Sequence, residues 1–288
     1  MAPRSNSKAP VLTPTRMNPR DAWSRRARGW EKWEPLLMQA LSGVDPAMFR
    51  DLALGPDTRV VDFACGTGEP SLTIARLLPR GRVLGIDLAE PMLEIARRRA
   101  RRFGIRNVAF RQGDIARYRH RGAPAEAAIS RFGLMFVDDV PNGLQRMRAA
   151  LRRGGRIAIA AWGSAAENPG SVIRAEASRP FVPQPPPDPE RSPHPLRFGR
   201  RGLLPRLMRD AGFRDVTLDA VRLWMIYPDL EIGVTSQIET AMVDLHAKLG
   251  RSDRERLEQR LRRGLARYRS RDGVVRVPGL AWVVWAKK

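Results

Sequence analysis

The feature that most constrains the fold is a short apolar run that ends near an acid and passes into a loop of small residues. Residues 59–63 have the length of a buried strand, and Ala64-Cys-Gly66-Thr-Gly68 follows, with Pro70 where a helix would start. Short apolar runs then alternate with helical segments as far as Trp162. This alternation is typical of a parallel sheet covered by helices.

The same periodicities predict seven strands, at 59–63, 83–87, 107–111, 127–130, 156–162, 216–226 and 280–286. A helix over 140–151 is expected to stop at Gly154-Gly155, and Gly212 is expected to cap the helix before the sixth strand. The predicted segments are a basic disordered tail (1–20), N-terminal helices (21–53), a core (54–228) containing a proline-rich extended excursion (163–200), a helical insertion (229–270), and a last segment completing the core (271–288).

Three acids stand at the predicted carboxyl ends of three successive strands. Asp62 lies in the first strand, Asp87 ends the second, and Asp114 follows the third. The carboxyl ends of parallel strands meet along one edge of a sheet, so these acids should converge on one crevice, where such sheets bind ligands. A carboxylate at Asp87 could accept hydrogen bonds from both hydroxyls of a ribose, and one at Asp114 from an adenine amino group.

The first loop lacks the G-x-G-x-x-G spacing of dinucleotide enzymes and instead reads Asp62-x-Ala64-x-Gly66-x-Gly68. With Gly85-Ile-Asp87-Leu-Ala-Glu-Pro-Met92, Gln112-Gly-Asp114-Ile115, and the segments 130–136 and 151–157, it resembles the class I S-adenosylmethionine-dependent methyltransferases. The similarity is closest to the small-molecule subgroup related to ubiquinone and menaquinone methyltransferases. Ala64 replaces the family's first glycine, a mild departure if that residue has an ordinary backbone conformation.

The resemblance implies a Rossmann-like doubly wound sheet of seven mostly parallel strands, with N-terminal helices and a helical lid inserted between strands six and seven. It also implies that S-adenosylmethionine is the cofactor and S-adenosylhomocysteine the product. The cofactor-binding residues that it implies are Asp62, Ala64, Gly66 and Gly68 at the methionine end, Asp87 at the ribose, Leu88, Met92, Asp114 and Ile115 at the adenine, and the main chain at Ser130 and Arg131 near the methionine amino group.

The acceptor is less constrained than the cofactor. A small, hydrophobic metabolite methylated on carbon, oxygen or nitrogen is the main hypothesis; an RNA or protein methyltransferase and a non-catalytic cofactor-binding module are the alternatives. Trp30, Trp33 and Trp162 are candidate acceptor contacts, although hydrophobic packing is the more ordinary role for tryptophan. Of the three histidines, His246 lies on the helical insertion and is the candidate general base, with surface packing as the alternative.

Composition narrows the remaining classes. The net charge of +22 favours anionic partners, so contact with nucleic acid or with an anionic membrane surface stays open beside a small acceptor. Cys65 is the single cysteine, which excludes an internal disulfide and, with the missing apolar leader, favours the cytoplasm. The scattered histidines give no metal-ligand spacing, so no metal is expected, and no apolar run reaches transmembrane length. The oligomeric state is not constrained.

Overall fold

The computed structural model describes residues 18–182, 188 and 190–288. Its strands are β1 (Arg59–Phe63), β2 (Arg82–Asp87), β3 (Val108–Gln112), β4 (Ala125–Arg131), β5 (Leu151–Trp162), β6 (Arg214–Tyr227) and β7 (Val275–Lys287). They form one seven-stranded sheet in the order β3-β2-β1-β4-β5-β7-β6. β1 to β5 pair in parallel, whereas β7 runs antiparallel to both β5 and β6. The predicted sheet of seven mostly parallel strands is confirmed.

Eleven α-helices occur in the described residues: α1 (Pro19–Lys32), α2 (Glu34–Leu41), α3 (Asp45–Arg50), α4 (Ser71–Leu77), α5 (Glu90–Arg102), α6 (Val140–Ala150), α7 (Pro169–Ser178), α8 (Leu203–Asp210), α9 (Leu230–Ala241), α10 (Val243–Lys248) and α11 (Arg251–Ala266). Helices α4 and α5 pack on β2 and β3, while α6 and α8 cover the other half of the sheet. The last three helices lie between β6 and β7, where the helical insertion was expected.

Two apolar clusters account for most of the interior. The main one joins the inner faces of the sheet to the flanking helices and includes the fully buried Phe63, Ile129 and Val284. A second one, with Leu257 and Leu261 at its centre, joins α7, α9 and α11 to the ends of β6 and β7. The insertion therefore has its own apolar core, to which the adjoining ends of β6 and β7 contribute.

Several segment boundaries differ from the sequence predictions. The proline-rich excursion is not extended throughout, because α7 forms within it and buries Ile173 and Ala177 against the insertion. Helix α6 is stopped before Gly154-Gly155: β5 begins at Leu151 and carries both glycines as strand residues. Pro19 and Arg20 belong to α1 rather than to a tail, and residues 1–17 of the predicted tail lie outside the described residues. Gly212 does have the left-handed backbone (φ 87°) that was expected of a cap.

The insertion packs behind the N-terminal helices. Asp244 of α10 pairs with Arg25 and Arg26 of α1, at 2.5 and 3.5 Å. Glu239 of α9 pairs with Lys32 at 2.8 Å and accepts a hydrogen bond from the indole of Trp33 at 2.6 Å. The first helix is thus held between α5 on one side and the insertion on the other.

Three consecutive arginines of α5 have intramolecular partners. In α5, Arg97 pairs with Glu90, and Arg98 pairs with Glu31 of α1. Arg99 pairs with Glu34 and Glu69. Arg98 and Arg99 join α5 to the N-terminal helices, so part of the positive charge serves internal contacts. Within the described residues, no helix is long and apolar enough to cross a membrane.

Candidate cofactor and acceptor site

A cavity of about 640 Å³ opens at the carboxyl ends of the parallel strands. The loop after β1, the ends of β2 and β4, and the turn after β3 form its floor, and α1 and α2 form its cover. The predicted cofactor residues that line it are Ala64, Gly66, Asp87, Leu88, Met92, Asp114, Ile115 and Arg131. The other three, Asp62, Gly68 and Ser130, are not among its lining residues.

Asp87 connects two segments of the cavity floor through hydrogen bonds to its carboxylate. Its carboxylate accepts a hydrogen bond from the backbone N–H of Gly66 at 2.9 Å and another from that of Ala89 at 3.0 Å. The residue is 9% exposed, and burial raises its pKa above the ordinary value. The end of β2 therefore fixes the loop that follows β1, and each carboxylate oxygen keeps a lone pair for a further donor.

Asp62 lies directly behind this loop and is completely buried. One carboxylate oxygen accepts a hydrogen bond from the Ser71 hydroxyl at 2.6 Å, while Oδ1 has no partner among the described residues. Burial raises the pKa of Asp62 to about 7. Ser130 Oγ is also buried without a partner in the described part of the chain. Both residues are therefore buried next to residues of the cavity floor without lining the cavity themselves.

Arg131 at the end of β4 makes a buried ion pair. Its Nη1 donates to both carboxylate oxygens of Asp45, at 3.0 and 2.9 Å, and its Nη2 donates to the backbone carbonyl of Glu69 at 3.0 Å. Burial is the main cause that raises the pKa of Asp45 to about 6, partly offset by the arginine. One guanidinium thus ties α3, the first loop and β4 together.

The backbone of Ala64 is left-handed, with φ at +61°. Replacing a glycine by alanine here is therefore not the mild change expected for an ordinary conformation, because a Cβ strains this region. A Cβ added to Gly133 would lie 2.2 Å from the Cβ of Ala64, so the absence of a side chain at 133 makes room for the alanine methyl group. Gly66 has φ at +53°, and a Cβ there would meet nothing within 4 Å.

An aromatic cluster forms part of the cover. Trp23 makes edge-to-face contacts with Trp30, at 5.9 Å between ring centroids, and with Phe136, at 5.1 Å. All three line the cavity. Sequence reasoning proposed Trp30 and missed Trp23, although a spacing of seven residues places both on one face of a helix.

The other candidate acceptor contacts lie elsewhere. Trp33 does not line this cavity, since its indole is bonded to Glu239 of the insertion. Trp162 lines a second, smaller cavity and stacks on Phe132, with ring centroids 4.3 Å apart. Because Phe132 lines the first cavity, this ring pair contacts both spaces.

His246 is not brought to the cavity. Its Nε2 lies 3.0 Å from a carboxylate oxygen of Glu258, so the imidazole joins α10 to α11 within the insertion. None of residues 229–270 lines the 640 Å³ cavity; α1 and α2 occupy the covering position that was expected of the insertion. Across the residues that the structure describes, no group of three or more His, Cys, Asp or Glu side chains could hold a metal ion.

A sequence model of the family described as "Methyltransferase domain" matches residues 60–155, which run from β1 through the start of β5. The chain thus contains a methyltransferase domain. The match covers the first loop, Asp87, Asp114 and Arg131, the residues that form the floor of the cavity. The relatedness to quinone methyltransferases expected from the motifs is confirmed by the relatives of this domain.

Two curated relatives and one solved structure illustrate the similarity. The 2-phytyl-1,4-naphtoquinone methyltransferase of Synechococcus elongatus is 31% identical over 109 residues, 37% of this chain and 47% of the relative. The trans-aconitate 2-methyltransferase of Deinococcus radiodurans is 34% identical over 131 residues, 44% and 48% of the two chains. The chain spans about half the length of each. A Haemonchus contortus phosphoethanolamine N-methyltransferase 2, with phosphomonomethylethanolamine and S-adenosylhomocysteine, superposes with a TM-score of 0.59 at 16% identity, over 94% of this chain and 60% of that one.

Proposed function

We propose that this protein transfers a methyl group from S-adenosylmethionine to a small organic acceptor. The proposal rests on one observation: Asp87, Asp114 and the loop at 64–67, all within the matched methyltransferase domain, line the same 640 Å³ cavity. A space of this size suits a nucleoside cofactor together with an acceptor.

The residues on the floor fit the cofactor's ribose and adenine. Asp87 is held by two backbone N–H groups, and the lone pairs that remain suit the two ribose hydroxyls. Asp114 accepts the N–H of Ala116 at 2.9 Å and keeps 40% of its side chain exposed, which suits an adenine amino group. Leu88 and Met92 offer apolar contact for the base.

The first loop fits the other end of the cofactor. Because a Cβ at Gly66 would stand in open space, the bare backbone leaves room for close approach of a ligand there. Arg131, at the end of β4, donates hydrogen bonds to Asp45 and to the Glu69 carbonyl. These contacts fix the position of the loop relative to β4. The roles of Asp62, Gly68 and Ser130 are then to support the loop rather than to touch the ligand.

The cofactor supplies an electrophilic methyl group on a sulfonium, which an acceptor atom attacks in line. The chain's own residues provide alignment and exclusion of water, which account for much of the acceleration in such reactions. Trp23, Trp30 and Phe136 cover the cavity with apolar surface, which helps to exclude water. We assign no general base among the lining residues.

The relatives favour a small metabolite as acceptor. The two curated relatives are named for a phytyl naphthoquinone and for trans-aconitate, so both hydrophobic and acidic acceptors occur among them. A protein that turns over a member of either class should form S-adenosylhomocysteine from S-adenosylmethionine only when the acceptor is present. The test is to incubate the protein with radiolabelled cofactor and panels of quinols and of small organic acids, and to measure labelled product against an Asp114→Ala control. Turnover that survives this substitution unchanged, or that occurs only on RNA or protein, would overturn the proposal.

A further inference from the structure

The second cavity, of about 50 Å³, lies beyond the ring pair of Phe132 and Trp162. It is formed where the projecting ends of β6 and β7 pass beneath the start of α7, and α2 covers both spaces: Met38 and Leu41 line the large cavity, Ala40 the small one. The small cavity therefore borders the acceptor side of the proposed site, away from Asp87 and Asp114.

Arg174 of α7 lines this cavity without a carboxylate partner among the described residues. Its Nη1 donates to the side-chain oxygen of Gln237 at 2.7 Å, and its Nη2 donates to the hydroxyl of Ser171 at 2.8 Å. Both partners are neutral. Residues 1–17, 183–187 and 189, which lie outside the described part, contain no Asp or Glu, so they hold no counter-ion for it either. Three of the five N–H groups of the guanidinium have no assigned acceptor in the described part of the chain.

The groups around Arg174 add to its preference for an anion. Tyr227 is buried in the same cavity, and its hydroxyl oxygen accepts a hydrogen bond from Gln237, which leaves the hydroxyl proton for another acceptor. Gly170 and Ser171 of the first turn of α7 also line it, so the positive end of that helix dipole faces the space. Burial lowers the pKa of Arg174, a partly buried cation that has no acid beside it among the described residues.

We propose that the small cavity binds a carboxylate group of the methyl acceptor through Arg174 and Tyr227. A guanidinium and a hydroxyl that converge on a space of this size match a carboxylate, whose two oxygens accept from both donors. The acceptor's body then lies against Trp162, which lines the small cavity and stacks on Phe132 of the large one. The claim that the bound carboxylate belongs to the methyl acceptor rests on the proposed function. The claim that this cavity binds a carboxylate does not.

The test uses the full chain saturated with S-adenosylhomocysteine, and compares acetate with its neutral isostere acetamide at constant ionic strength. Acetate should raise the unfolding temperature by mass action, and acetamide should not. Arg174→Gln should abolish the difference and Tyr227→Phe should reduce it. Because each variant is compared with itself, a lower starting stability does not affect the result. Arg260→Gln is the matched control: Arg260 donates to the carbonyls of Ala177 and Glu176 at the other end of α7 and does not line the cavity.

Equal effects of acetate and acetamide on the wild type, or an acetate effect that survives Arg174→Gln, would overturn the site. If acetate binds, acids in the acceptor panel should be methylated at least tenfold faster than their amides, and Arg174→Gln should remove that preference. Equal turnover of acids and amides would assign the cavity to a free small carboxylate and overturn the link to the acceptor. Failure of the protein to bind S-adenosylhomocysteine contradicts the proposed function instead, and is seen separately in the same samples.

Discussion

The guanidinium of Arg131 and the carboxylate of Asp45 form a two-point contact, at 3.0 and 2.9 Å, across 86 positions of the sequence. The arginine side chain is 4% exposed and the aspartate side chain 12%. This pair joins the N-terminal helices to the end of β4 and, through the Glu69 carbonyl, to the loop that follows β1. It links the cover of the proposed cofactor site to its floor.

Asp45→Asn should leave a buried guanidinium without its counter-charge. We expect a loss of about 3–5 kcal/mol in the free energy of unfolding, the usual cost of breaking one side of a buried pair. Denaturant unfolding at neutral pH measures it. Glu31→Gln is the control, because Glu31 also joins the N-terminal helices to the core, through an ion pair with Arg98 in which both side chains are half-exposed. This substitution should lower the free energy of unfolding by less than about 1 kcal/mol. Equal effects of the two substitutions would contradict a special role of the buried pair.

Asp62 should make stability depend on pH. Its pKa is about 7 in the folded protein and near its ordinary 3.8 when unfolded, so between these values the folded state binds a proton that the unfolded state does not. The stability that the folded state gains from this proton is complete below pH 3.8, and it is lost as pH rises through 7. Wild type should therefore gain stability over Asp62→Asn as pH falls from 8 to 4, by up to about 1.4 kcal/mol per pH unit.

Unfolding curves of both proteins across this range test the prediction, with Asp57→Asn as a control whose difference from wild type should change little over most of it. Hydrogen bonds from Arg80 lower the pKa of Asp57 from its ordinary 3.8, so the stability that this carboxylate contributes is lost mainly below pH 3.8. A constant difference between wild type and Asp62→Asn across the whole range would contradict the raised pKa.

Ala64 and Gly133 should show coupled effects on stability. Gly133→Ala would place two Cβ atoms 2.2 Å apart, and we expect it to cost about 1–3 kcal/mol. Ala64→Gly removes one of these atoms and relieves the left-handed strain, so the same change at 133 should cost less in that background. A double-mutant cycle measured by denaturant unfolding gives the coupling. Additive effects would show that the two residues do not compete for one space.

His246→Ala should leave binding of S-adenosylhomocysteine and methyl transfer unchanged. The imidazole contacts Glu258 inside the insertion and does not line either cavity. Loss of this partly exposed contact should lower the free energy of unfolding by about 1 kcal/mol or less. A variant that binds the cofactor normally but no longer methylates an acceptor would restore His246 as a catalytic residue.

The sheet was predictable from sequence because each parallel strand is an apolar run set between turn residues and helical segments. β1 was predicted with its observed bounds, since Gly55-Pro56-Asp57 comes before this apolar run and the loop of small residues from Ala64 follows it. β7 was predicted from residue 280 although it starts at Val275, because Pro278 and Gly279 break the strand pattern where β6 and β7 project beyond the sheet.

The floor of the site was predictable for the same reason that the strands were, whereas its cover was not. Asp87, Asp114 and the first loop lie at strand ends, and the order of parallel strands places such residues together. Asp45 looks like an ordinary acid in the first turn of a helix, and nothing in its neighbourhood indicates a partner as distant as Arg131. The packing of α1 over the cavity depends on long-range ion pairs with the insertion, which periodicity does not report.

Calorimetric titration of the full chain with S-adenosylhomocysteine, for wild type and for Asp87→Ala, tests the central claim most directly. Wild type should bind one equivalent, and Asp87→Ala should bind at least about tenfold more weakly, because charge-assisted hydrogen bonds to the ribose are lost. Asp57→Ala, which removes an exposed carboxylate that does not line the cavity, should bind like wild type. Folded wild-type protein that does not bind the ligand, or Asp87→Ala that binds it as tightly as wild type, would contradict the assignment of this cavity to S-adenosylmethionine.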